Sequence, residues 1–98
     1  MIVLTTFPDV TKATKFAETI IAEKLAACVQ ISSPITSIYR WNGEVTKSHE
    51  VQVTIKALKE SLPSLEQRLA ELHSYETPQF IVIPDCKASD RYLAWMKE

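Results

Sequence analysis

The chain contains a single glycine, at the Asn42-Gly43 step inside "AACVQISSPITSIYRWNGEVTKSHEVQVTIKA" (Ala26 to Ala57). Both flanks of that step have strand chemistry, so about a third of the 98 residues goes into one hairpin. Asn-Gly selects a two-residue turn with positive φ at both positions, which places Trp41 opposite Glu44. Carried inward without interruption, that register sets Val51, Val53 and Ile55 against Pro34, Ser32 and Gln30. Paired residues share a face, so the core face would be half polar. A shift of one residue brings Ile31 and Val29 onto the face of the valines instead. The sequence therefore predicts a β-bulge between Ile31 and Ile35, where Pro34 has no N–H to give to the ladder.

Length adds a second constraint. From Ala26 to Trp41 a strand reaches roughly 50 Å at about 3.3 Å per residue. A compact domain of this size is only about 35 Å across, with a radius of gyration near 13 Å. The hairpin must overhang, and a bare two-stranded ribbon is marginal in water. Its outer part carries Ile38, Tyr39 and Trp41. A second chain covering these residues would solve the problem, so the hairpin is expected to be an oligomerisation arm.

The remaining elements fall around it. "IVLTTF" (Ile2 to Phe7) reads as a buried strand ended by Pro8-Asp9. Ala13, Phe16, Ala17, Ile20 and Ile21 recur on one face of a helix running to about Leu25. Ser61 is placed to cap a second helix with Pro63 in its first turn and a stripe of Leu62, Leu65, Leu69 and Leu72. "QFIVIP" (Gln79 to Pro84) reads as a second buried strand, and Ser89 as the cap of a short last helix. The order is β-α-β-β-α-β followed by a small helix. This is an α+β, ferredoxin-like plan in one domain spanning residues 1–98, with a long β2–β3 hairpin.

Composition excludes several functions. Net charge is −1 with both signs interspersed, so no basic face for nucleic acid is expected. No apolar run approaches the roughly 20 residues of a membrane span. Cys28 and Cys86 are read as free thiols in a reducing compartment. The opening "IVLTTF" is too short, and lacks the basic lead, for a secretory signal, so a cytoplasmic setting is expected.

Five separated segments, "AEKLAACVQI", "ITSIYRWNGEV", "EVQVTIKA", "YETPQFIVIP" and "YLAWM", span essentially the whole chain. In that order they resemble the CutA divalent-cation-tolerance proteins. The resemblance implies a homotrimer whose long hairpins build inter-subunit sheets, association with copper or another divalent metal, a cytoplasmic setting and no established reaction. Some members carry a cysteine where this chain has Thr5, and a His-His-Pro-Tyr stretch where it has Leu72-His73-Ser74-Tyr75; a common acidic residue is Gln79 here.

Cys28 stands where the family keeps a cysteine, and it reads either as a small core residue or as a metal ligand. His73 ends the second helix, as a partner of the helix dipole or as an imidazole ligand. Neither belongs to a C-x-x-C or H-x-x-x-H spacing. Cys86 lies in a loop-like "DCKASD", and His49 faces outward on the arm. Lys56, Tyr75 and Glu76, with Trp41, are polar or aromatic positions at element ends, where clefts between subunits form. No glycine-rich phosphate loop and no Ser/His/Asp arrangement is legible, and "TTFPDVTK" has no arginine for an acylphosphatase-type anion cradle. The expected function is a trimeric, non-enzymatic divalent-cation (copper) tolerance protein with no required cofactor. The alternative is a PII-like trimeric sensor of a small anionic metabolite.

Overall fold

A computed structural model describes all 98 residues. Strand β1 (Ile2–Phe7) leads to helix α1 (Val10–Ala22), strands β2 (Cys28–Trp41) and β3 (Glu44–Lys56), a single 3-10 turn, helix α2 (Leu62–Leu72), strand β4 (Ile81–Ile83) and helix α3 (Asp90–Met96). The four strands form one antiparallel sheet in the order β2-β3-β1-β4. This is the split βαβ plan expected from the sequence.

The hairpin follows the predicted register. Asn42 and Gly43 both have positive φ, 50° and 78°, and Trp41 faces Glu44. Pairing runs unbroken to Pro34↔Val51, then shifts, so that Ile31 faces Val53 and Val29 faces Ile55. The bulge leaves the Gln52 N–H without a backbone acceptor on β2, and the Ser32 hydroxyl accepts it at 2.8 Å. Ser32 thus repairs the ladder at the point where the register slips.

β1 covers β3 only from Val51 to Lys56. Beyond that, Ile35–Trp41 and Glu44–Glu50 pair only with each other and form the overhang, which stretches the molecule to 45 × 25 × 24 Å.

Strand alternation divides the sheet. Val3, Phe7, Val51, Val53 and Ile55 point to the helices and pack with Phe16, Ile20, Leu65 and Leu69. Ile2 and Leu4 point the other way, beside their β4 partners Ile83 and Ile81. No helix covers this second face, and Ile81 and Ile83 are exposed. The expected buried strand from Gln79 to Pro84 is therefore corrected. It is three residues long, its pairing with β1 stops at Leu4↔Ile81, and of the expected span Phe80 and Val82 pack against the core.

Two helix ends, the C-terminus of α1 and the N-terminus of α2, differ from expectation. Asp9 caps α1 by accepting the Lys12 N–H at 2.8 Å. The helix stops at Ala22 because Lys24 turns left-handed (φ 59°), and the Leu25 and Lys24 N–H groups bond back to the Ile20 and Ile21 carbonyls. That is a Schellman motif built on lysine rather than glycine. Ile21 lies outside the buried face. Ser61 belongs to the 3-10 turn and makes no side-chain cap, whereas Ser89 does cap α3 through the Tyr92 N–H.

One core residue is under-satisfied. The hydroxyl of Thr5 is fully buried and has no hydrogen-bond partner. Thr5→Val keeps the shape and removes the orphaned polar group, so it should stabilise the fold by about 1–3 kcal/mol. Urea denaturation of the two proteins at equal concentration checks this, and a less stable variant would refute it.

Candidate functional site

The root of the arm, where β3 leaves the sheet, gathers side chains from three parts of the chain. Ser37 and Tyr39 alternate on the β2 face that Trp41 and Ile35 share, and the pairs Ser37↔Ser48 and Ile35↔Glu50 put Ser48 and Glu50 on that same face. The segment after α2 passes over the end of β1 and brings Tyr75 to this face. The Tyr75 hydroxyl donates to Glu50 Oε2 at 3.0 Å, and the Ser37 hydroxyl donates to Oε1 at 2.5 Å. Burial, with the neighbouring Glu50 carboxylate, pushes the Tyr75 hydroxyl up to about 12, so it remains a donor at neutral pH.

His73 fixes the segment that carries Tyr75. Its ring stacks on Phe7 at 4.1 Å and lies 4.9 Å from the Tyr75 ring. Nδ1 accepts the Tyr75 N–H at 3.0 Å, which leaves the proton on Nε2, donating to the Thr6 carbonyl at 2.6 Å. These partners define a neutral imidazole. Burial lowers the His73 pKa, against the opposing pull of the Thr6 carbonyl and the Glu50 charge.

The sign of the pH effect follows. With a folded pKa below the unfolded value of about 6.5, His73 contributes stability that is fully present above that value and is lost as pH falls through the folded pKa. Glu23 and Asp85, whose pKa values are lowered below the usual carboxylate range by Arg68 and Lys59, titrate in a more acidic window. Stability should therefore fall between about pH 7 and pH 5 in the wild type and fall less in His73→Gln. Denaturant midpoints at the two pH values measure it, and equal slopes would contradict the assignment.

Together these side chains line a cavity of about 800 Å³, walled by Tyr39, Trp41, Tyr75 and Pro78. Its only charged lining residues are Glu50 and Glu76. The structure thus brings together Tyr39, Trp41, Ile38, Tyr75 and Glu76, and adds Glu50 and Ser37. The sequence offered one sign of Glu50, its alternation with the core residue Val51, and none of Ser37.

Lys56 is not part of this group. It lies at the far end of β3, about 16 Å along the strand from Val51 at about 3.3 Å per residue, with its ammonium 5.7 Å from the Tyr92 ring. Cys28 pairs with Lys56 and is partly exposed on the uncovered face, remote from His73. Cys86 is exposed, with its thiol 3.4 Å from the Ile83 carbonyl. His49 stands on the arm with Nδ1 3.5 Å from the Thr36 hydroxyl.

A metal fits this single chain poorly. No three His, Cys, Asp or Glu side chains converge, and both nitrogens of His73 are already engaged. Cys28 belongs to no such group.

Fold and site define a class of protein: a ferredoxin-like α+β fold with an overhanging β-arm and an acidic, aromatic cavity at the arm's root. The family described as "CutA1 divalent ion tolerance protein" matches over residues 1–98. The divalent-cation tolerance protein CutA of Thermus thermophilus is 37% identical over 99% of this chain and 94% of its own length. The chloroplastic protein CutA of Arabidopsis thaliana is also 37% identical, over 99% of this chain and 53% of that protein. The crystal structure of CutA1 from the psychrotrophic bacterium Shewanella sp. SIB1 superposes with a TM-score of 0.93 at 40% identity, covering 98% of this chain and 90% of that one. The chain belongs to the CutA1 divalent ion tolerance family.

Proposed function

We propose that this protein acts as a homotrimer in divalent-cation (copper) tolerance, with the β2–β3 arms at the subunit interfaces and without a catalytic step. One observation carries the assembly: the arm and the open sheet face leave large apolar side chains uncovered. Val45 is 81% exposed, Ile38 64% and Trp41 52%, and Ile81 and Ile83 add a second strip. Each ribbon also has unpaired backbone groups along β2, an edge that a neighbouring chain can satisfy. Hydrogen exchange tests this reading. Covered arms should protect amides along Ile35–Trp41, whereas an isolated ribbon exchanges within its fraying equilibrium. Rapid exchange along the whole arm at micromolar concentration would overturn it.

For the cation itself the donors proposed are Cys28, as thiolate, and His73, as imidazole. Neither completes a site in one chain, so binding through them requires donors from a second copy, and His73 must first give up its hydrogen bond to Tyr75 or to Thr6. Calorimetric titration of Cu(II) into wild type, Cys28→Ser and His73→Ala decides this. Loss of binding in either variant supports the assignment, and unchanged binding in both places the ion elsewhere. The two free thiols are the ground for proposing a reducing, cytoplasmic setting. The alternative of a PII-like sensor for an anionic metabolite meets an obstacle in the cavity, whose charged residues are both carboxylates.

A further inference from the structure

We propose that a divalent cation taken by His73 displaces the Tyr75 N–H from Nδ1 and so loosens the fastening of the arm at its root. This rests on the reading of His73 as a donor, and adds which nitrogen it uses and which bond opposes the ion. The bonds concerned join atoms of one chain and do not depend on which surfaces a neighbouring subunit covers.

The choice of nitrogen follows from the two partners. A backbone N–H only donates and a carbonyl only accepts. The proton therefore sits on Nε2, and the one ring lone pair sits on Nδ1, facing the Tyr75 N–H at 3.0 Å. A cation needs that lone pair. Binding at Nδ1 costs one hydrogen bond. Binding at Nε2 would cost two, because a proton moved to Nδ1 would face the Tyr75 N–H while the Thr6 carbonyl lost its donor. Binding at Nδ1 also keeps Nε2–H on the Thr6 carbonyl at 2.6 Å, the kind of outer partner that orients a metal-bound imidazole.

Displacement reaches the arm through Tyr75. That residue is fastened at two ends, by its N–H on His73 and by its hydroxyl on Glu50 at 3.0 Å. Glu50 pairs with Ile35, the first pair past Phe7↔Val51, where β1 stops covering the ribbon. Freeing the N–H requires Tyr75 to turn toward another acceptor, and the hydroxyl bond resists that turn. Ion binding and the Tyr75–Glu50 bond are therefore negatively coupled. The coupling is reciprocal, so weakening either one favours the other.

Calorimetric titration with Cu(II), joined to hydrogen exchange of residues 73–79, tests the coupling. Tyr75→Phe removes the hydroxyl and leaves the His73 ring in place, so it should bind Cu(II) about three- to tenfold more tightly than the wild type. A site that Tyr75 merely supports would bind equally or more weakly. Cu(II) should also speed exchange across residues 73–79 of the wild type, whereas a ligand that only covers the segment slows it. Both effects should vanish in His73→Gln. Equal or weaker binding by Tyr75→Phe, or slower or unchanged exchange with Cu(II) bound, would overturn the coupling, while loss of binding in His73→Gln would leave the donor reading standing. Undiminished binding in His73→Gln would overturn both, and that result tells the two failures apart.

Discussion

Phe7→Ala should destabilise the protein by about 3–5 kcal/mol, the usual cost of truncating a buried phenylalanine. Phe7 is almost wholly buried and joins two regions. On one side it meets Phe16 of α1, with ring centroids 5.0 Å apart, and on the other it supports the His73 ring at 4.1 Å. The truncation therefore removes core volume and the platform of the segment carrying Tyr75. The Tyr75–Glu50 bond should loosen with it, so the cavity is expected to lose the wall that Tyr75 forms even where the fold survives. Denaturant unfolding at fixed protomer concentration gives the stability change. A loss below about 1 kcal/mol would mean that the core collapses around the missing ring and that His73 is held by its hydrogen bonds alone.

Trp41→Ala should weaken the assembly by about 2 kcal/mol or more, at least about thirtyfold in the dissociation constant. Within one chain Trp41 is half exposed, so its removal opens little of the subunit's own core. In the proposed trimer its cost should appear at the interface, where large aromatic side chains supply a disproportionate share of binding energy. Dilution-dependent light scattering separates the two effects. An unchanged dissociation midpoint would place Trp41 outside the contact and leave Ile38 and Val45 to anchor the arm.

The hairpin was legible in the sequence because strand geometry is unforgiving. A period of two, a turn of fixed length and one proline were enough to require a bulge between Ile31 and Ile35, and the shift falls between Ile31 and Pro34. The overhang followed from chain length against domain diameter. Long-range choices were less visible. Nothing near Ser32 announced that its hydroxyl would take the Gln52 N–H, a partner 20 residues away. Glu50 looked like one more polar residue on an alternating strand until the turn after α2 delivered Tyr75 to it. Lys56 and Tyr75 both sat near element ends, but at opposite ends of the sheet, a distinction that only the β1–β3 register makes. "QFIVIP" is apolar on both faces, yet one subunit buries only the Val82 side. That mismatch has the same form as the uncovered arm, and the proposed assembly accounts for both, since a single chain leaves part of the apolar pattern uncovered.

Sedimentation equilibrium of the wild-type protein at micromolar concentration tests that cause most directly. The account predicts a single species at three times the 11.1 kDa chain mass, stable on dilution, with the arms and the Ile81–Ile83 strip covered. A stable species at 11.1 kDa would contradict it, because the exposed ribbon and open sheet face would then have no chain to cover them.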